Sequence, residues 1–225
     1  MSKKQKCSTW NNLLSAANVE TQCVASLREP GLIDDALTIN NLRIIIFKNM
    51  NIEKLSKSVR NVPDFPIPGI QFKDVTTLFK DAEILKELSD GLYEMYKDKG
   101  VTRVVGIESR GFIMGPLLAE RLRVGFVPIR KPGKLPAETY EMSYDKEYGK
   151  DAIQIHRDAL GENDVVVLHD DLLATGGTMV AAVELIKKFH PKKIHVNFLI
   201  ELEDLKGRAA FDPNIEIEAI LKYAI

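Results

Sequence analysis

Residues Val165 to Thr178, VVVLHDDLLATGGT, constrain the chain more tightly than any other stretch. Four apolar residues, Val165 to Leu168, lead into His169 and then two adjacent carboxylates, Asp170 and Asp171. An apolar run bounded by turn residues suits a strand covered on both faces, as in a parallel sheet flanked by helices. Beyond it, Met179 to Phe189 places Val180, Val183 and Ile186 at helical spacing. Between strand and helix lies a turn of small residues, Ala174, Thr175, Gly176, Gly177 and Thr178. Glycines allow backbone to approach a ligand closely, and the free N–H groups of such a turn and of the next helix converge on one spot, which is how proteins hold phosphate. Taken alone, Gly-Gly before a helix equally marks a plain helix start capped by Thr178. The carboxylates tip the balance. At the C-terminal end of a parallel strand they face the crevice where open α/β sheets bind ligands, and they accept hydrogen bonds from hydroxyls. Hydroxyls beside a phosphate describe a sugar phosphate.

The same run resembles the phosphoribosyl pyrophosphate signature of type I phosphoribosyltransferases, and its DDLLATGGT form is similar to that of the adenine-using branch of the family. The resemblance covers roughly Asn51 to the C-terminus. It implies an α/β fold with a five-stranded parallel twisted sheet flanked by helices, a small hood and a flexible lid loop. It also implies transfer of a 5-phosphoribosyl group from phosphoribosyl pyrophosphate to adenine, giving AMP and pyrophosphate, a purine-salvage reaction. Ala174, Thr175, Gly176, Gly177 and Thr178 would then hold the 5-phosphate, and Asp170 and Asp171 the ribose hydroxyls. Mg²⁺ would arrive on the substrate's oxygens with no direct protein ligand, and the enzyme would be a homodimer. His169 departs from the family, which normally has an aliphatic residue there.

Upstream, VPDFPIPGIQFKDVT has three prolines in quick succession followed by Gly69, which forbids helix and predicts a stiff extended corner. Its own residues are compatible with a simple cover over the sheet edge. The resemblance makes it a hood over the base, with Phe72 stacking on the purine, Leu172 on the other face, and backbone groups of Gln71 and Lys73 reading the edge. The family usually has Arg where this chain has Lys73, which replaces a planar fork by a point charge.

VTRVVGIESRGF repeats the strand-to-loop-to-helix pattern. By resemblance, Ser109 and Arg110 grip pyrophosphate, across a Glu108–Ser109 peptide commonly cis in the family; without it, Arg110 reads as a surface ion-pair residue. A short strand, GFVPIR, delivers Arg130 and Lys131 into KPGKLPAETYEMSYDKEYGK, which resembles the family lid. Arg130, Lys131 and Lys134 would draw in the pyrophosphate. A loop of this length without structure is a functional lid or a disordered segment. Within it, the resemblance gives Glu147 the proton of the purine, with Tyr148 beside it; from the sequence alone Glu147 is one more solvated acid.

The remaining pattern is a helix from Asp81 to Lys99, a half-buried strand in DAIQIH, a strand from Lys193 to Ile200, a short helix around Leu205 to Phe211, and a last strand from Ile215 to Leu221. Residues 1 to 49 differ in composition and read as a poorly ordered, dispensable extension ahead of a domain spanning 50 to 225. A mitochondrial presequence fits residues 1 to 19 in part but is weakened by Glu20, Glu29, Asp34 and Asp35. Lys and Arg number 31 against 32 Asp and Glu, so there is no global basic surface for nucleic acid, and no membrane span is evident. Both cysteines, Cys7 and Cys23, precede the domain, which excludes a disulfide framework and points to the cytoplasm. The rivals are a phosphoribosyltransferase for hypoxanthine, guanine or xanthine, and a non-catalytic regulator sensing phosphoribosyl pyrophosphate. The second lacks a helix-turn-helix pattern.

Overall fold

The computed structural model describes residues 50–146 and 149–224; the expected N-terminal extension, and Glu147 and Tyr148, lie outside the described residues. Helix α1 (Ile52–Ser58) is capped by Asn51, whose side chain accepts from the Lys54 N–H, and buries Leu55. Strands β1 (Arg60–Pro63) and β2 (Gln71–Asp74) pair antiparallel, with Val62 opposite Phe72 and Asn61 opposite Lys73. The proline-rich stretch is therefore a hairpin and not just an extended corner. Pro63 closes the first strand while Pro66 and Pro68 fall in the connection, where no ladder hydrogen bond is lost. Asp64 and Gly69, both at positive φ, reverse the chain there, and the Gly69 N–H donates to the Asp64 carboxylate at 2.7 Å.

After a single turn, α2 (Thr76–Phe79), helix α3 (Ala82–Tyr96) follows as expected. Asp81 caps it by accepting from the Glu83 and Ile84 N–H groups, and Ile84, Leu88, Leu92, Met95 and Tyr96 form its buried stripe. Strand β3 (Arg103–Ile107), helix α4 (Gly111–Leu122), strand β4 (Gly125–Ile129), strand β7 (Val165–Leu173), helix α5 (Gly177–Lys187), strand β8 (Lys193–Leu202) and strand β9 (Glu216–Tyr223) complete the frame. Two antiparallel strands, β5 (Thr139–Lys146) and β6 (Gly149–His156), intervene between β4 and β7.

The main sheet has the order β4-β3-β7-β8-β9 and all four pairings are parallel, the five-stranded sheet expected. Its two faces carry separate cores. One gathers Val105, Val166, Leu168, Val196 and Phe198 under α5 and the β5–β6 ribbon; the other gathers Val104, Val167 and Leu199 under α3 and α4. Strand β7 is central and its first five residues are buried, as the unbroken apolar run requires.

The lid stretch departs from the expectation of a structureless loop. Tyr140, Met142 and Tyr144 alternate along β5 and face Ile155, Ile153 and Asp151 of β6 in register, and all three pack on the first core. The Tyr140 ring meets Phe189 edge to face at 5.3 Å. That apolar alternation earns a strand by burial, even though prolines and glycines flank it. The DAIQIH strand accordingly pairs along its length with the lid and meets the chain just past β4 at one bridge, Arg130 to Gln154. Near Leu205 the expected helix is two 3₁₀ turns, Glu203–Leu205 and Gly207–Ala210.

Candidate active site

Sequence order and sheet order part company between β3 and β7. From β3 the chain steps outward to β4, and from β7 it steps the other way to β8 and β9. In open parallel sheets such a reversal leaves a crevice beyond the carboxyl ends of the two strands. Here Ser109 and Arg110 follow β3, and Asp170 and Asp171 lie in the last four residues of β7. The Arg110 guanidinium Nε donates to Asp171 Oδ2 across that gap. The Asp171 side chain is 4 % exposed and that of Arg110 45 %, so the pair anchors the cation on its inner edge and leaves the rest of the guanidinium toward solvent. Arg110 thus has a carboxylate partner within the protein, which the pyrophosphate role alone did not anticipate.

Close approach fixes the surroundings. A side chain at Gly111 would place its Cβ 2.7 Å from the His169 carbonyl oxygen, so α4 can begin against β7 only with glycine there. Asp170 is half-buried and its Oδ1 accepts from the Asp171 N–H at 2.9 Å. Burial, and then the neighbouring Asp171 carboxylate, hold the Asp170 carboxyl well above the usual range, with Arg110 opposing. The peptide between Glu108 and Ser109 is cis, matching the family resemblance.

Ala174, Thr175 and Gly176 connect β7 to α5, which begins at Gly177. Gly176 is at φ +87°, a left-handed conformation suited to glycine, and caps the helix. The N–H groups of the first helical turn, including those of Gly177 and Thr178, have no carbonyl within the helix to meet and are directed at the loop. Helix N-termini of this kind are ready anion sites.

On the other side of the crevice, Glu108 organises the cations. Arg130 donates to it through Nε and Nη2, both at 3.2 Å, the Lys131 N–H at 3.0 Å, and the Lys134 ammonium lies 3.5 Å away. The Arg130 fork, followed by the Lys131 N–H, pulls the Glu108 carboxyl below its ordinary range. Lys131 Nζ reaches Asp151 and, at 3.1 Å, the Tyr144 hydroxyl. Burial opposes the charged form of Lys131, but the hydrogen bonds of Asp151 and Tyr144 outweigh it and raise its pKa. Backbone bonds between Arg130 and Gln154, 2.9 and 2.8 Å, seam the ribbon to the end of β4. All four expected pyrophosphate cations are therefore gathered at one end of the sheet, each beside a carboxylate. Sequence reasoning missed Glu108 as an organiser, although its place at the end of β3 was a signal. Asp151 and Tyr144 had none, because their role depends on the ribbon register.

The hood sits at the same, C-terminal end of the sheet. The Lys73 ammonium lies 4.8 Å from the ring centroid of Tyr223, the last residue of β9, and donates to Asn61 at 3.1 Å. The Asn61 amide in turn donates to Gln71 at 2.7 Å. The Lys73 side chain is thus spent on holding the hood. Phe72 is half-buried, with Phe65 edge-on at 5.1 Å. Asp74 pins the base of the hairpin. It accepts from the Thr76 hydroxyl at 2.7 Å and from Arg60, which, against a smaller cost of burial, hold its pKa at about 2. Leu172 is half-buried near the end of β7 and packs on the second core. His156 and His195 stand apart from the crevice, the first on the lid ribbon, the second buried beside Glu216 at 2.9 Å.

The fold and site define a phosphoribosyltransferase, and the chain belongs to that family: residues 74–215 match the phosphoribosyl transferase domain. Among curated proteins it is 72 % identical over 174 residues to the adenine phosphoribosyltransferase of Bacteroides fragilis, covering 76 % of this chain and 98 % of that protein. The relative from Acidobacterium capsulatum, also an adenine phosphoribosyltransferase, is 50 % identical over 176 residues, 78 % of this chain and 97 % of that one. Among solved structures, adenine phosphoribosyltransferase from Rhodothermus marinus superposes with a TM-score of 0.72 at 45 % identity, covering 76 % of this chain and 98 % of that one. The Giardia lamblia enzyme, in complex with 9-deazaadenine, gives 0.74 at 39 % identity, with 78 % and 99 % covered.

Proposed function

We infer that the chain is an adenine phosphoribosyltransferase: it transfers the 5-phosphoribosyl group of phosphoribosyl pyrophosphate to adenine, giving AMP and pyrophosphate in purine salvage. The observation that carries this reading is the Arg110–Asp171 bridge over the β3–β7 crevice, with a phosphate-type loop on one side and a basic cluster on the other. At the sugar's C1 the bond to pyrophosphate breaks, the bond to the purine nitrogen forms, and the proton on that nitrogen leaves. The sugar passes through an oxocarbenium-like centre, so the protein's contribution is chiefly positional and electrostatic.

In this proposal Ala174, Thr175, Gly176, Gly177 and Thr178 hold the 5-phosphate, and Asp170 and Asp171 accept from the ribose hydroxyls. Ser109, Arg110, Arg130, Lys131 and Lys134 take the leaving pyrophosphate, Arg110 keeping its Nε bond to Asp171 while Arg130, Lys131 and Lys134 exchange their carboxylate partners for phosphate oxygens. Phe72 and Leu172 cover the faces of adenine while backbone groups of Gln71 and Lys73 read its edge. Mg²⁺ belongs to the proposal as a counter-charge on the leaving group. No group of three or more His, Cys, Asp or Glu among the described residues is arranged to hold a metal. The adjacent carboxylates Asp170 and Asp171 suit the waters of an ion that keeps most of its hydration and is carried by substrate oxygens. A homodimer is supported by Ile113 and Leu117, one turn apart on α4 and 37 % and 36 % exposed. Sedimentation as a monomer at assay concentration would remove that part. No described helix is long and apolar enough to cross a membrane. The cytoplasm, where thiols stay reduced, is the proposed location for a chain whose two cysteines both precede residue 24.

A panel of labelled bases tests the substrate. Adenine is expected to be converted and hypoxanthine, guanine and xanthine left, because a site built to read one purine edge leaves buried polar groups unpaired against another. Transfer to guanine with none to adenine would overturn the reading. Glu147, with Tyr148 beside it, is proposed as the acid-base group on the resemblance of YDKEYGK. Glu147→Gln is expected to lower kcat by about 10²-fold with both KM values nearly unchanged. An unchanged kcat would take Glu147 out of the mechanism.

A further inference from the structure

The turn after β8 has no substrate contact in the proposed reaction. Gly207–Ala210 lies directly against the phosphate loop, backbone on backbone. A Cβ on Gly207 would collide with the Ala174 carbonyl oxygen and stand 2.8 Å from Leu173 Cδ1. In the reverse direction, a Cβ on Gly176 would stand 2.8 Å from the Gly207 carbonyl oxygen and 3.1 Å from the Phe211 ring. The two segments interlock at both ends of the loop, so the loop's backbone cannot move outward unless the turn moves with it.

Arg208 decides whether the turn can move. Its Nε donates to Glu201 Oε1 at 2.6 Å, its Nη2 to Glu201 Oε2 at 2.8 Å, and its Nη1 to the Ile217 carbonyl at 2.8 Å. One guanidinium thus ties the turn to β8 and β9 together. Glu201 has a side chain 6 % exposed and stands in register with Leu173, the residue that enters the phosphate loop. A planar fork against a buried carboxylate fixes orientation as well as position.

We propose that Arg208 is a positioning residue for the 5-phosphate: through Glu201, Ile217 and the Gly207 backbone it holds Ala174 to Gly176 in the conformation that receives phosphate. The inference rests on the reading of residues 174 to 178 as the phosphate loop. Arg208 touches no substrate itself. Its removal should therefore weaken the phosphoribosyl substrate selectively, whereas a merely structural residue would loosen both substrates or only lower the melting temperature.

The test is steady-state kinetics on three variants of the full chain. Arg208→Lys keeps a cation beside Glu201 but cannot also hold the Ile217 carbonyl with a fork. Gly207→Ala keeps the Arg208 side chain but forces a Cβ against the Ala174 carbonyl oxygen and Leu173, so turn and loop must shift apart, at a position whose φ is not in the left-handed region. Both are expected to raise KM for phosphoribosyl pyrophosphate by about tenfold or more, with KM for adenine unchanged, since displacements of an ångström in a binding loop can cost up to about 10². Unchanged KM for phosphoribosyl pyrophosphate in Arg208→Lys, or an equal rise for adenine, would overturn the proposal. Thr178→Ala reports on the loop itself. If it raises KM for phosphoribosyl pyrophosphate while the other two do not, only the role of Arg208 falls. If neither it nor Gly207→Ala moves that KM, the phosphate assignment of the loop falls and the proposal with it.

Discussion

Asp171→Asn is expected to reduce kcat/KM for phosphoribosyl pyrophosphate by about 10² to 10³, from the loss of two charge-assisted hydrogen bonds at about 1.5 to 3 kcal/mol each, which are not fully additive. The side chain is 4 % exposed and receives Arg110 Nε, so in the proposed site one carboxylate serves two purposes. It orients the guanidinium that meets the leaving group, and it accepts from the ribose. Asparagine keeps the shape but carries no charge, and its amide nitrogen donates where the ribose and Arg110 also donate. Arg110 would then turn toward solvent. One compensation works in the other direction: the Asp171 charge helps to hold the Asp170 carboxyl above its usual range, so its loss makes Asp170 ionise more readily. Asp170 cannot take over the Arg110 contact without moving from its own bond to the Asp171 N–H at 2.9 Å. Initial rates over a matrix of both substrates decide the matter. A loss smaller than about threefold, under 1 kcal/mol of transition-state stabilisation, would remove Asp171 from the ribose.

What the sequence makes legible here follows from range. Val165 to Leu168 announce a buried strand because four apolar residues bounded by turns have few other solutions, and that strand is the centre of the sheet. Asp81 and the stripe from Ile84 to Tyr96 define a helix through local spacing and a local cap. The phosphate-type loop is equally local, since Gly176 and the start of α5 lie within a few residues of each other. Glu108 is legible only in part. Its position at a strand end is local, but its partners Arg130 and Lys134 come from beyond the next strand, and only the β3–β4 pairing brings them together. The lid ribbon was hidden for a similar reason. Tyr140, Met142 and Tyr144 alternate as in a strand, yet the proline and glycine content around them argues for loop, and what settles the outcome is burial against α5 and Phe189. The Arg208 contacts to Glu201 and Ile217 belong wholly to tertiary structure. Residues separated along the chain become legible when topology places them side by side.

His169, buried between the apolar run of β7 and its two carboxylates, carries a prediction about acid stability. The side chain is fully buried, its Nδ1 lies 2.7 Å from Asn197 Oδ1, and its Nε2 and the Asn197 amide nitrogen have no hydrogen-bond partner among the described residues. Burial lowers its pKa to about 4, against the opposing pull of Asn197 and of the Asp171 charge. In the unfolded chain a histidine titrates near 6.5. The unfolded state therefore takes up a proton as pH falls below 6.5, while the folded state stays neutral until about 4, so stability falls with pH through that window and no penalty exists above it. A displacement of this size corresponds to on the order of 3 kcal/mol by pH 4. His195, also buried and lowered to about 4, acts in the same window, so two protons contribute to the slope. His169→Val puts an aliphatic side chain there and removes one of them. At pH 7.5 the variant is expected to be the less stable, because the buried Asn197 loses its bond to the His169 ring at a cost of about 1 to 3 kcal/mol. The deficit should shrink on acidification and close or reverse by pH 4, as the wild type loses stability faster. Urea unfolding at intervals from pH 7.5 to 4 reads this directly. Parallel stability curves for the two proteins would mean that His169 is protonated in the native state through the same range, and that burial does not set its charge.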